Sequence, residues 1–462
     1  MITIKKLDNF TSLLDAIKVF DTTEFVEFLK EINEKKDELF VVFKKEKTTI
    51  FSVISDNDIP LPDLSQIFYS ANLYQNEIYD YYGRTTKDFD NHILRLHTHP
   101  KDFFPLRKLG KPMIKSKKEF IFTTVNELVE VPVPIHAIIP PGHFRFTVDE
   151  DTLNLDTQMW KHKVEQYFSK EKDLDKLLEA SQDIADSAIA YALFTRLIEE
   201  ASNIKLNKSS TLTRILALEL ERIYNHIWTI ALNDVQSFLL NYLSIREELL
   251  ELNKEIFSRT LKVITYKTNK NLKKEDLEKI LKILKQVEKR VDTLSYIEEY
   301  SSVYDRFKDT IVNYDTTTTH SLVVAKASKL ISDYRIYDKD YVENNIIVEP
   351  ILIQDSFDRF QVRAKEIFQS IEIIKKIIKS LNEMQEKEIK TEDLKLNDIY
   401  TSFVEHREIF QMIIIENNIT YYKAKDPSFV NWTLLEYAVL KNIIADFPIC
   451  NKSFDLSYSF DM

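Results

Sequence analysis

Glycine occurs only three times in 462 residues, as Gly83, Gly110 and Gly142, and this scarcity limits the fold more than the bulk composition does. Neither a Walker phosphate loop nor a G-x-G-x-x-G dinucleotide fingerprint can be written with three isolated glycines, because both need several backbone positions free of side chains around a phosphate. Cysteine is scarcer still: Cys450 stands alone. A single thiol excludes an internal disulfide, a cysteine-rich zinc site and an iron–sulfur cluster held by this chain alone. Hydrophobic residues at 44% and charged residues at 30% are those of a folded globular chain with room for more than one domain. The net charge of -11 argues against general affinity for nucleic-acid phosphates, so no nucleic-acid partner is expected. No run approaches the roughly 18 consecutive apolar residues of a spanning helix. The apolar stretch from Ile413 to Ile415 stops at Glu416, and Met1-Ile-Thr-Ile-Lys-Lys lacks the apolar region of a signal peptide.

The hydrophobic pattern predicts an α+β chain. Residues 1–112 read as an α/β domain: a helix-like stretch through Phe25–Leu29 after a cap at Asp21–Thr23, short strands at Leu39–Phe43 and Thr49–Val53 around a polar turn at Lys44–Lys47, and a helix from Leu64 to Tyr82. Residues 113–156 read as a β-rich segment with strands at Phe120–Thr124, Ile135–Ile139 and Phe144–Val148. Residues 157–462 read as a large, mainly helical bundle, with helical spacing over Thr211–Leu261, Lys274–Tyr296, Ser356–Leu381 and Trp432–Ile444, and an irregular tail.

Two helical segments carry polar stripes. Glu219, Arg222 and His226 follow i, i+3, i+7; Arg359, Arg363, Glu366 and Ser370 follow i, i+4, i+7, i+11. Each set lies on one helix face. Facing inward, the two stripes would form a buried ion-pair network, which either fixes helix packing or lines a pocket or proton path. His92, His97 and His99 have no matching fourth ligand, so no metal site is expected there.

The string Leu73-Tyr74-Gln75-Asn76-Glu77-Ile78-Tyr79-Asp80-Tyr81-Tyr82-Gly83, followed by Phe104-Pro105-Leu106-Arg107-Lys108, resembles a signature of the small peripheral-arm subunit of complex I. The rest resembles the large subunit of membrane-bound, energy-converting nickel–iron hydrogenases and the quinone-site large subunit of complex I. Five strings carry that likeness in order: Pro134–Phe146, Leu218–His226, Asp358–Ser370, Lys425–Trp432, and Ala445–Pro448 with Ser453–Ser457. The resemblance implies a fusion of the two subunit types in one chain.

It also marks departures. The family's four nickel–iron thiolates come from two C-x-x-C pairs. The C-terminal pair falls here on Ser457 and Phe460, after Ser453-Phe454-Asp455-Leu456, and no cysteine lies between Leu177 and Tyr191, where the other pair belongs. Hydrogen activation is therefore not expected. The resemblance implies a pocket or proton path built from His136, Arg222, Arg359, Arg363 and Glu366, with Asp455 and Ser457 as the remnant of the metal-ligand segment. No cofactor is expected on this chain itself. The implied iron–sulfur cluster belongs to a partner small subunit, and a quinone is open to the pocket between them. Membrane-embedded subunits would be further partners, which places the chain peripherally on the cytoplasmic side of a membrane. Two readings follow: an oxidoreductase subunit coupling redox to ion movement, or a non-catalytic scaffold joining peripheral and membrane arms.

Overall fold

The computed structural model describes residues 2–20, 24–44, 48–68, 70–90, 104, 106–107, 128–132, 143–149, 152–156, 168–169, 195–197, 199–200, 206–233, 239–257, 272–291, 333–336, 338–348, 356–384, 398–403, 410–416, 419–425, 428–440 and 442–456. It is an α+β structure. Among the described residues no helix is long and apolar enough to cross a membrane.

The N-terminal unit holds a four-stranded sheet in the order β1-β4-β3-β2, with β1 Ile2–Leu7, β2 Glu24–Asn33, β3 Lys36–Lys44 and β4 Thr48–Asp56. The sheet is antiparallel except for β1, which runs parallel to β4. Helices α1 Phe10–Ile17 and α2 Ala71–Tyr82 complete the unit. The segment Phe25–Leu29, expected to be helical, is strand. Phe25, Val26, Phe28 and Leu29 are all buried, so both faces of β2 are covered and the run lacks the polar alternation that marks a half-exposed strand. Its expected cap, Asp21–Thr23, lies outside the described residues, as do residues 45–47 of the expected turn. The expected helix from Leu64 is shorter and begins at Ala71.

Gly83 explains why the two parts of the N-terminal signature travel together. It closes α2 in the left-handed conformation, φ 72°, its N–H bonded to Tyr79 O at 2.8 Å. A Cβ on Gly83 would lie 2.5 Å from the Phe104 ring, so the second string packs into space that only glycine leaves. Leu106 N–H then donates to Tyr81 O at 3.2 Å and Arg107 Nε–H to Tyr82 O at 2.8 Å.

Strands β5 Leu128–Pro132, β6 His143–Asp149 and β7 Thr152–Asp156 form an antiparallel sheet in the order β5-β6-β7. The expected strands at Phe120–Thr124 and Ile135–Ile139 lie outside the described residues. A four-stranded sheet absent from the sequence reading comes from the C-terminal part of the chain: β8 Phe168–Ser169, β9 Asp398–Phe403, β10 Phe410–Glu416 and β11 Ile419–Lys425, in the order β8-β11-β10-β9. Strand β10 is a layer between two cores. Ile413 enters the helical core, whereas its neighbours Met412 and Ile414 enter the N-terminal core. That is the period-2 alternation of a strand with apolar cover on both faces. Lys423 stands opposite Met412 in the register and reaches Glu77 of α2 at 2.7 Å, both side chains buried.

The helical core is built by α3 Lys208–Asn233, α4 Leu239–Phe257, α5 Lys274–Val291 and α7 Ser356–Asn382. The stretch expected to be helical over Thr211–Leu261 thus contains two helices. In α5 the buried residues Leu277, Ile280, Ile283, Leu284, Val287 and Val291 keep the 3/4 spacing of one apolar stripe, and the lysines and glutamates take the other face. Helix α3 differs, being buried nearly all round, with Leu212, Ile215, Leu216, Leu220, Ile223 and Ile227 among its core residues. The short helix α6, Lys339–Glu343, starts at Asp338, whose side chain accepts from Asp340 N–H. The final pair, α8 Ser428–Ala438 and α9 Phe447–Phe454, packs around Trp432 with Phe146 of β6 in a third core. Helix α8 ends before Ile444, and α9 occupies what reads in the sequence as an irregular tail. At eight residues, little more than two turns, it gives too little periodicity to recognise.

Candidate functional site

Helices α3 and α7 bring the two polar stripes together. Glu219, Arg222 and His226 from α3 meet Arg359, Arg363, Glu366 and Ser370 from α7, and all seven residues are buried. His226 Nε2 lies 2.6 Å from Glu366 Oε2, and Arg363 Nη1 lies 3.4 Å from His226 Nδ1. A guanidinium only donates, so Nδ1 is the accepting nitrogen and the imidazole proton sits on Nε2, donated to Glu366. Arg222 lies between the two carboxylates, 3.5 Å from Glu219 and 3.6 Å from Glu366.

Glu219 is the most heavily bonded acid of the set. It faces Arg335 Nη1 at 3.2 Å and accepts from the hydroxyls of Tyr341 and Ser370. Burial alone would raise its pKa, but the Arg335 and Arg222 guanidiniums and the two hydroxyls hold it below the usual carboxylate range. Arg335 is itself gripped by Asp333 at 2.9 Å and by Gln369 Oε1 at 2.7 Å. Burial raises the Tyr341 phenol well above its ordinary value, and the adjacent Glu219 charge adds to this, so Tyr341 is a hydrogen-bond donor.

The other end of the network touches the C-terminal helix. Arg359 Nε donates to Ser453 Oγ at 2.9 Å and stacks over the Phe454 ring at 4.3 Å. Arg363 Nη2 donates to Ser453 O at 2.9 Å, and its Nη1 lies 3.7 Å from Asp455. Asp455 caps α9 in the left-handed conformation, φ 55°, a geometry Asp tolerates better than most residues. Ser453 in turn donates to Cys450 O. Of the residues singled out in the sequence, Arg222, Arg359, Arg363 and Glu366 therefore converge, with Asp455 at the margin. His136 and Ser457 lie outside the described residues, as do the histidines at 92, 97 and 99.

The sequence reading missed Asp333, Arg335 and Tyr341. Arg335 comes from a 3-10 turn, Tyr334–Ile336, with Asp333 just before it, and Tyr341 comes from α6, five residues long. Neither is long enough for a polar stripe to show, although Asp338 in the capping position was a readable signal.

His226 titrates low. Burial is the largest cause, the Arg363 and Arg222 charges add to it, and Glu366 opposes them; the result is a pKa lowered to about 4. Above pH 6.5 the imidazole is neutral in both folded and unfolded chain and contributes no pH dependence. As the pH falls from 6.5 toward about 4, the unfolded chain takes up a proton that the folded chain refuses. Stability should then fall with a slope near 1.4 kcal/mol per pH unit from this residue, and level off below the folded pKa. Comparing the pH dependence of unfolding in the parent and in His226→Gln isolates the effect, since glutamine does not titrate. Parallel curves through this window would mean that His226 is charged in the folded state.

A nickel–iron centre does not fit the donor set. Cys450 is the chain's one cysteine; it is buried in α9, where its carbonyl serves Ser453, and four soft thiolates cannot be assembled from it. Residues 235–420 match the family described as the respiratory-chain NADH dehydrogenase 49 Kd subunit, so the chain is similar to large subunits of the complex I and nickel–iron hydrogenase type. A relative over most of its length is hydrogenase-4 component G of Escherichia coli (strain K12). It is 22% identical over 397 residues, which cover 78% of this chain and 68% of that protein.

Proposed function

We propose that this chain serves as the nickel-free large-subunit-like component of a membrane-associated electron-transfer complex. In this reading it forms one wall of an acceptor pocket, of the kind a quinone fills, against a small subunit that carries an iron–sulfur cluster. Membrane-embedded partners then couple the redox step to ion movement. The observation that carries the reading is the buried His226–Glu366 pair held between Arg222 and Arg363. A neutral imidazole hydrogen-bonded to a buried carboxylate, with fixed positive charges on either side, keeps one proton at a defined position on Nε2 away from bulk water. The protein's contribution is to hold that proton position while the partner's cluster supplies electrons. The missing thiolates support a route that does not pass through hydrogen.

The test uses the native complex in detergent, reduced, with its cluster observed by electron paramagnetic resonance with and without a quinone analogue. A cluster signal that shifts on adding the analogue is the expected result. A cluster indifferent to the analogue, or no cluster at all, would overturn the pocket and leave the scaffold reading.

A further inference from the structure

Outside the helical network, one buried acid stands out by its surroundings. Glu27 lies on β2 beneath α2, with no solvent exposure. Among the described residues neither of its carboxylate oxygens has a hydrogen-bond partner. Its polar neighbour is Gln75 of α2, also fully buried. The Gln75 amide nitrogen is committed to Pro62 O at 2.9 Å, and Gln75 Oε1 is an acceptor that likewise lacks a donor. Three buried oxygens, two of Glu27 and one of Gln75, are thus without a hydrogen-bond partner among the described residues, and the second hydrogen of the Gln75 amide is the one polar hydrogen that acts on Glu27.

The charges facing Glu27 make an anion there worse. Asp63, in the turn before α2, and Glu77 on α2 both act on it as negative charges. Asp63 is stabilised by the backbone N–H and hydroxyl of Ser65. Glu77 holds Lys423 of β11 at 2.7 Å, so that lysine is engaged. No cation is bonded to Glu27 among the described residues. A carboxylate in this place would be buried, without a hydrogen-bond partner among them, and repelled by two others.

We propose that Glu27 is a proton-holding site: a neutral carboxylic acid whose ligand is a single proton, seated between β2 and the signature helix α2. Protonation removes the buried charge and converts one oxygen from acceptor to donor, so fewer bare acceptors remain in the site. Burial, with Asp63 and Glu77 adding to it and the Gln75 side chain opposing it, pushes the acid well above its ordinary value in agreement with this geometry. Loss of the proton would set an unscreened charge beside Glu77, the residue that fastens α2 to β11 through Lys423. The seating of α2 on the C-terminal sheet is therefore linked to the protonation of Glu27. This inference does not depend on the electron-transfer reading.

The sign follows from linkage. Below the ordinary glutamate value of 4.5 the acid is protonated in both folded and unfolded chain. As the pH rises above it, the unfolded chain releases the proton and the folded chain keeps it, so the folded state loses ground until its own pKa is reached. Glu27→Gln keeps the shape of the neutral acid and cannot titrate. In full-length protein the variant should match the parent near pH 4.5 and become progressively the more stable as pH rises, the ratio of unfolding constants growing by up to about tenfold per pH unit. The infrared carbonyl band of a protonated carboxylic acid should be present in the parent at neutral pH and missing in the variant. A Glu27→Gln protein less stable than the parent by a constant factor across that range would overturn the proposal. Should that variant not fold, Glu27→Asp retains a titratable carboxyl. A shifted acid band in Glu27→Asp would support the site, whereas an unchanged band, or none in the parent, would overturn it.

Discussion

Glu219→Ala is expected to lower the unfolding free energy by about 3–5 kcal/mol, the usual cost of removing one partner from a buried charge network. The size follows from what is left behind. Arg335 and Arg222 are 2% and 4% exposed, so neither guanidinium can turn to water when its carboxylate goes. Arg335 keeps Asp333, at 2.9 Å, and Arg222 keeps Glu366, at 3.6 Å, but the balance of charge at the centre is lost. The Tyr341 and Ser370 hydroxyls, both donating to Glu219, lose their acceptor as well. A buried donor left without its acceptor typically costs about 1–3 kcal/mol, so these terms alone are of the right size. Ser370→Ala removes one hydroxyl and leaves every charge in place; it should cost only about 1 kcal/mol. Denaturant unfolding of the full chain measures both, with an unchanged dependence on denaturant showing that the loss is one of stability rather than compactness. A Glu219→Ala cost no greater than that of Ser370→Ala would mean that the acid is hydrated, not enclosed by the two helices.

The core of this network was legible in the sequence because α3 and α7 are long. A polar residue recurring every three or four positions in an otherwise apolar helix has one reading, that of a buried stripe, and Glu219, Arg222 and His226 fit it as well as Arg359, Arg363 and Glu366 do. What the spacing could not supply was the third side. Arg335 and Tyr341 reach Glu219 from more than a hundred positions away in the chain, from elements with no periodic face. Their charge and hydroxyl count for nothing until the chain has folded back. The same limit applies to Ser453, which lies within a recognisable string but is functionally silent until Arg359 and Arg363 are seen to converge on it.

The misread strands have a different cause. Periodicity separates helix from strand only when one face meets water. Strand β2 has cover on both faces, and so does β10, where Met412 and Ile414 serve one core and Ile413 the other. In both, consecutive apolar residues are required by the packing, and the local pattern carries no face to detect. The sheet built from residues 398–425 also depends on a strand at 168–169, a pairing so distant that no local signal announces it. By contrast β3 and β4 were readable, because a polar turn separates two short runs that pair directly across it.

Asp37→Ala is the second substitution expected to cost about 3–5 kcal/mol, and it acts on the N-terminal unit alone. Asp37 of β3 is fully buried and serves two arginines at once. Arg107 takes it in a two-pronged grip, Nη1 to Oδ1 at 2.6 Å and Nη2 to Oδ2 at 2.9 Å, and Arg84 Nη1 adds a third bond at 2.7 Å. Burial pulls the Arg84 guanidinium below its ordinary pKa, and Asp37 is the main group opposing that pull. Without the carboxylate, Arg84 retains among the described residues the neutral acceptors Ser55 Oγ and Ile59 O, and Arg107 retains Glu31 at 3.8 Å. The same arginine ties the second signature string to the end of α2 through Tyr82 O, so its release also loosens Phe104 from Gly83. Adding Arg84→Met to Asp37→Ala removes one stranded cation and fills its volume with apolar atoms. The double variant should therefore recover part of the loss, because a buried ion pair exchanged for packed apolar groups is often near neutral whereas half of one is not. Unfolding of the parent, the two single variants and the double variant gives the coupling directly. A single Asp37→Ala loss of about 1 kcal/mol or less, the scale of a surface ion pair, would place this cluster in water and refute the buried arrangement.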